Sequence, residues 1–187
     1  MSPVMAVFSI FDKIIFMQRI VLVFGLLSGA IVSLVMGISM FTIYKDPSLA
    51  AGSGSMIVGY LSMLIAFALI YVGVKKYRDQ HNNGTISFGK AFRIGLFITL
   101  IASTLYVITW AIVYHFFIPD FMDIYAAQIM KQAEGSSSID MQRKADEMMQ
   151  YKKLYQNPLF FALITYAEIL PVGLIVSVIT GLLLKKK

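Results

Sequence analysis

The chain has 187 residues, of which 58% are hydrophobic and only 14% are charged. Soluble domains carry about 25% charged residues, so this composition excludes an ordinary soluble protein. Cysteine is absent, which excludes disulfides, thiolate metal sites and a cysteine nucleophile. The net charge of +6 comes from basic residues beside apolar runs, and this placement favours membrane insertion over nucleic-acid binding.

Residues 1–19 precede the first long apolar run and have two interpretations. They mix apolar side chains with Asp12 and Lys13, as an amphipathic segment on a membrane surface does. The alternative is a non-native extension, with Met17 as the natural first residue instead of Met1. The run that follows is too long for a cleavable signal, whose apolar core has about 7–15 residues.

Four apolar runs are long enough to be membrane spans, since crossing about 30 Å of hydrocarbon takes about 20 residues. We therefore predict an all-α integral membrane protein, a four-helix bundle in which residues 20–187 form one domain. The predicted spans are Ile20–Ile43, Met56–Val74, Ile94–Phe117 and Leu159–Leu184.

Small residues recur at every fourth position in the first and last spans, and this spacing places them on one helix face. Such stripes let membrane helices approach closely. On the fourth span the stripe lies opposite Glu168, so an inward-facing acid would turn the stripe outward, towards a second copy of the chain. The predicted packing residues are Gly25, Gly29, Ser33 and Gly37 on the first span, and Gly173, Ser177 and Gly181 on the fourth.

Two connecting segments carry recognisable signals. In the loop before the third span, Asn82-Asn83-Gly84 is typical of a tight turn and Ser87 is a candidate helix cap. The long loop Ile118–Pro158 is predicted to form a helical hairpin. Its first helix would run to about Glu134 and stop at Gly135, and its second would run from about Ser138 to Gln156.

Glu168 is the only formal charge within the four runs. A charge in the bilayer centre costs roughly 2.5–3.5 kcal/mol, so this side chain should face protein or water. Pro171 should free the carbonyl of Ala167 and kink the helix. The acid is interpreted either as a functional proton or ion site or as a structural group fixing helix register.

Matching depth across antiparallel spans places Glu168 near residues with hydroxyl or indole donors. We predict that its carboxyl accepts a hydrogen bond from one of them, so that Glu168→Gln preserves folding and Glu168→Leu destabilises the bundle. The expected partners are Tyr106, Thr109 and Trp110 of the third span, with Ser33 and Ser62 as alternatives.

Charge sorting across the predicted spans gives an orientation. The side holding both termini and the Lys75–Arg93 loop has ten basic and two acidic residues, whereas the other side has six basic and seven acidic ones. Because Lys and Arg accumulate on the cytoplasmic side, both termini are predicted to be cytoplasmic and the 118–158 hairpin periplasmic, in a bacterial inner membrane.

Five short motifs stand out along the chain: Ile86-Ser87-Phe88-Gly89-Lys90-Ala91-Phe92-Arg93-Ile94-Gly95, Pro119-Asp120-Phe121, Asn157-Pro158, Glu168-Ile169-Leu170 and Val172-Gly173-Leu174-Ile175. Together they resemble an uncharacterised bacterial membrane family, domain of unknown function 4199. The resemblance covers roughly Met17 to Lys187 and implies a four-span inner-membrane protein, without an activity or ligand.

No spacing brings a nucleophile near a base, so we expect no enzyme, no cofactor and no metal site. The first functional hypothesis is an accessory or scaffold subunit that works through helix packing, in a homo-oligomer or with a partner membrane protein. The alternative is a proton- or ion-coupled transporter or channel centred on Glu168. One ionisable residue is few for a proton relay.

Overall fold

The protein is a bundle of long helices with a smaller helical pair at one end. The structure is a computed structural model that describes residues 3–49, 53–135 and 137–186. Within these ranges a short 3-10 turn (Pro47–Leu49) and a π-helical turn (Val113–Phe117) accompany six α-helices: α1 (Pro3–Lys45), α2 (Ser53–His81), α3 (Phe88–Ile112), α4 (Phe121–Gln132), α5 (Ser138–Gln156) and α6 (Pro158–Leu184).

Four of the helical segments are long and apolar enough to cross a membrane, which confirms the predicted four-span, all-α class. The first three extend a few residues past the predicted apolar run into charged sequence, and the fourth differs from its prediction by one residue. The segments are Lys13–Lys45, Met56–His81, Phe88–Phe117 and Pro158–Leu184.

The first helix continues without a break across the predicted boundary at residue 19. It has 43 residues, which at 1.5 Å per residue corresponds to about 65 Å, roughly twice the hydrocarbon thickness. The described part of residues 1–19 thus continues the helix that forms the first span.

The predicted turns and caps have the expected local geometry. Asn83 and Gly84 adopt positive φ angles of 52° and 74°, as a tight Asn-Gly turn requires. Ser87 caps α3, since its hydroxyl accepts from the Lys90 N–H at 3.4 Å. The hairpin of α4 and α5 also has its predicted turn, because Gly135 has a φ of +91° and Ser137 caps α5 by accepting from the Asp140 N–H.

The small residues of α1 pack mainly against α3. A side chain added at Gly25 would overlap Ile101, and one added at Gly29 would overlap Leu105. Ser33 is buried, but Gly37 has open space around it. Three of the four predicted α1 positions therefore serve packing inside the monomer.

The stripe on α6 also faces the bundle interior, so the expectation that it points outward is wrong. Gly173 lies against Thr99 and Phe67, and Gly181 lies against Phe88. The Ser177 hydroxyl is fully buried and lies 3.4 Å from the Thr99 hydroxyl. These residues therefore allow α3 and α6 to pack closely inside the monomer, and no oligomer contact can be assigned to them.

Pro171 does not interrupt α6, which is helical from Pro158 to Leu184. The proline is exposed, on the side of the helix away from the buried stripe. Glu168 lies on the other side from Ser177, as the helical period predicts. The acid of α6 therefore lies on the opposite face of the helix from the packed stripe.

Candidate functional site

A cavity of about 370 Å³ lies where the hairpin formed by α4 and α5 covers one end of the bundle. Five of the six helices contribute to it, and α2 borders a second space of about 170 Å³ that shares four of the same side chains. The cavity is lined by Met36, Met40, Tyr106, Trp110, Phe121, Met122, Tyr125, Met148, Tyr151, Tyr155, Ile164 and Glu168.

Aromatic residues make up half of the side chains that line the cavity. Trp110 is at the centre, with its ring centroid 5.1 Å from Phe121 in an edge-to-face arrangement and 6.3 Å from Phe161. Tyr155 contacts the same group, 5.3 Å from the Phe161 ring. Edge-to-face and offset pairs at these separations are favourable and hold the rings in fixed orientations. The wall is therefore a preformed aromatic surface.

Glu168 is the only acid that lines this wall. It lies on the same face of α6 as Ile164, one turn earlier, which also lines the cavity. Its side chain is exposed, and Tyr106 and Tyr155 line the same cavity. The carboxyl is thus accessible from the cavity and surrounded by aromatic side chains.

The predicted hydrogen bond to Glu168 is absent: no described residue donates to its carboxyl. Tyr106 and Trp110 line the same cavity as Glu168, but neither is hydrogen-bonded to its carboxyl. Thr109 is turned away, because its hydroxyl donates to the Leu105 carbonyl at 2.9 Å. The alternatives also lie elsewhere: Ser62 donates to Gly59, and the buried Ser33 hydroxyl has no partner among the described residues.

The hairpin of α4 and α5 forms one wall of the cavity. An ion pair between Asp123 of α4 and Lys152 of α5 ties the two helices together. Met148, Tyr151 and Tyr155 of α5 point inward at spacings of three and four, which places them on one helix face. The neighbouring Met149 is instead exposed.

Tyr155 remains a neutral phenol near neutral pH. Burial raises the pKa of Tyr155 above its usual range, and the negative charge of Glu168 raises it further. A neutral phenol keeps its O–H donor and an electron-rich ring face. The site therefore combines one carboxylate with aromatic rings that carry no charge of their own.

The residues of the hairpin were missed as site residues by the sequence argument. Phe121, Tyr125, Tyr151 and Tyr155 reach the site only because α4 and α5 fold back over the bundle. One signal was present, since Tyr106 with Trp110 and Tyr151 with Tyr155 are both pairs at a spacing of four. Such pairs mark aromatic helix faces, but the spacing does not say that the two faces meet.

The side chains that could act as ligands determine which kind of molecule the cavity can bind. Across the described ranges, no group of three or more His, Asp or Glu side chains could bind a metal ion. A single carboxylate beside Trp and Tyr rings instead suits a monovalent organic cation, which is attracted to both the charge and the ring faces. The cavity volume is near the lower end of the 300–1,000 Å³ found for small-molecule sites.

Comparison with known proteins gives one finding about relationship. A family model described as "Protein of unknown function (DUF4199)" matches residues 22–186, nearly the whole chain. Comparisons with curated proteins and with solved structures find no match.

Proposed function

The chain belongs to the DUF4199 family, and from its cavity we propose that it is a non-enzymatic membrane protein that binds a small organic cation at Glu168. The observation that carries the proposal is the accessible carboxyl of Glu168, which lacks a cationic or hydrogen-bonding partner in the described structure and faces Tyr106, Trp110 and Tyr155. An acid at this depth costs stability, and a bound cation would offset that cost.

Cation binding is the first step of the ion- or proton-coupled transport hypothesis centred on the same residue. A proton and a cation would compete for one carboxylate, which couples their movements if the site is exposed to each side in turn. On the side of the cavity facing the other end of the bundle, the core is closed by packed residues including Phe67 and Ile98. The geometry therefore supports a one-sided binding site more than an open channel.

Binding is tested with benzyltrimethylammonium and, as its neutral counterpart of the same shape, neopentylbenzene. We expect the purified protein in detergent to bind the cation at least tenfold more tightly than the neutral compound. The attraction between two unit charges about 4 Å apart is about 4 kcal/mol at an effective dielectric constant of about 20. A tenfold difference in affinity needs only about 1.4 kcal/mol. Glu168→Gln should remove this preference. Glu147→Gln is the matched control, since Glu147 is an exposed acid on α5 outside the cavity.

Two results would contradict the proposal. Equal affinity for the cation and the neutral compound would show an apolar cavity without charge selection. An equal effect of Glu168→Gln and Glu147→Gln would show a general surface-charge effect. Flux of benzyltrimethylammonium into proteoliposomes then separates transport from binding alone, because a binding protein without transport gives no flux dependent on Glu168.

The accessory-subunit hypothesis is a second candidate, supported by exposed apolar residues on α5. Ile139 is 79% exposed and Met149 is 59% exposed, on a helix outside the four apolar segments. Exposed apolar groups outside a bilayer are often covered by a partner or by the membrane surface. Ile139→Ser with Met149→Ser should lower the mass of any complex extracted in mild detergent; an unchanged mass would count against this surface.

A further inference from the structure

A second cavity, of about 320 Å³, lies between α1 and α2 at the other end of the bundle. It is separated from the Glu168 site along α1, since Arg19 and Met36 are about 17 residues, or about 25 Å, apart. Its lining residues are Phe16, Arg19, Ile20, Val23, Phe24, Lys76 and Gln80. We call this space the α1–α2 groove.

The polar rim of the groove carries two cations without an anionic partner. The ion pairs among the described residues are Arg78–Asp79, Arg143–Asp140 and Lys152–Asp123, so neither Arg19 nor Lys76 is neutralised. Both are exposed, and no acid lines the groove. The rim therefore has a positive charge and free N–H donors directed at an open space.

The lower wall of the groove is apolar and ordered. Val23 is 46% exposed and Phe24 is nearly buried. Phe16 is held by stacking on His81, with the ring centroids 3.4 Å apart and the rings parallel. A ligand in this groove would meet charge at one end and hydrocarbon at the other.

The groove lies at the expected level of the lipid headgroups. Arg19 comes directly before the uncharged run that starts at Ile20, and Lys76 follows shortly after the run that ends at Val74. Because uncharged runs of this length occupy the hydrocarbon, residues at their borders lie at its boundary with the headgroups.

We propose that the α1–α2 groove binds an anionic phospholipid, with its phosphate between Arg19 and Lys76, its glycerol region near Gln80 and an acyl chain along Val23 and Phe24. Arginine and lysine are both common phosphate ligands, and basic pockets between transmembrane helices bind lipid headgroups. A soluble phosphate would use the rim but not the apolar wall, so the lipid fits the whole groove.

The test compares lipid binding by native mass spectrometry and thermal unfolding in detergent. Added dioleoylphosphatidylglycerol should bind and raise the unfolding temperature more than dioleoylphosphatidylcholine does. Arg19→Gln with Lys76→Gln should weaken phosphatidylglycerol binding roughly 25-fold, at roughly fivefold per cation. The control is Lys75→Gln with Arg93→Gln, which removes two exposed cations at the same end of the bundle that do not line the groove.

Each remaining outcome overturns the proposal. Equal losses in the two double variants would mean bulk surface charge, and equal binding of the two lipids would mean no selection for anionic lipid. Displacement of the lipid by millimolar inorganic phosphate would assign the rim to a soluble ion. Unfolding temperatures without added phosphatidylglycerol should match among the native protein and both double variants; a lower value for the Arg19 and Lys76 variant alone would assign its loss to misfolding.

Discussion

Glu168 has no hydrogen-bond donor within the described structure, and this changes what its substitution should do. Glu168→Leu removes no hydrogen bond and leaves no partner unpaired, so the destabilisation expected from sequence should not occur. We expect both Glu168→Gln and Glu168→Leu to keep the free energy of unfolding within about 1 kcal/mol of the native value. Unfolding in detergent measures this; a loss of several kcal/mol in Glu168→Leu alone would reveal a hidden hydrogen-bond partner.

The pH dependence of cation binding should also arise from Glu168. Protonation of the Glu168 carboxyl removes the charge that attracts the cation, so affinity for benzyltrimethylammonium should fall as the pH is lowered. Tyr155 does not contribute, since burial raises its pKa and keeps the phenol neutral throughout. Titration calorimetry of native protein and Glu168→Gln measures the effect, and a pH dependence that persists in the variant would assign it to another group.

Among the helices, the contact of α3 with α6 depends most closely on a single glycine. A Cβ at Gly173 would overlap Thr99 and Phe67. Both of these side chains are buried in the core. Overfilled cores lose about 1–3 kcal/mol, so Gly173→Ala should be destabilised by about that amount. Gly37→Ala is the matched control, because that position has open space and alanine favours helix. Equal stability of the two variants would contradict the packing described for α6.

The hairpin helices should be the most dynamic part of the described fold. α5 has no buried residue, whereas α3 and α6 each have several. Local opening costs least where few apolar groups are buried. Amide hydrogen exchange in detergent should therefore be faster in α5 than in α3 or α6, and benzyltrimethylammonium should slow it. Equal protection of α5 and α6 would show that the hairpin is part of the rigid core.

The contrast between α6 and the hairpin shows what the sequence could and could not predict. Lengths of apolar runs, caps and turns are local properties, so the spans, Ser87 and the Asn83-Gly84 turn were predicted correctly. The relative direction of Glu168 and Ser177 was also predictable from the helical period. The sequence did not show whether Glu168 or Ser177 is directed at the neighbouring helices, because the aromatic cavity depends on where α4 and α5 fold. The predicted outward stripe failed for that reason.

For the whole molecule, the four spans place both termini on one side of the membrane, and the charge asymmetry predicts that this side is the cytoplasm. The absence of cysteine allows single probes. An impermeant thiol reagent should label Ser137→Cys in intact cells and Lys186→Cys only after permeabilisation. Both positions are exposed, so each controls for the other. The reverse labelling pattern would invert the orientation.

The π-helical turn Val113–Phe117 has a consequence for the history of the family. The Ile118 N–H donates to the Val113 carbonyl at 3.0 Å, a span one residue longer than in an α-helix. Removing one residue there would convert the turn to an ordinary α-helical turn and shorten the segment that leads from Trp110 to Phe121 and Met122, so both side chains would shift relative to Trp110. In an alignment of relatives, we therefore expect a one-residue gap in this turn to coincide with loss of the acid at position 168. Relatives without the gap should keep it.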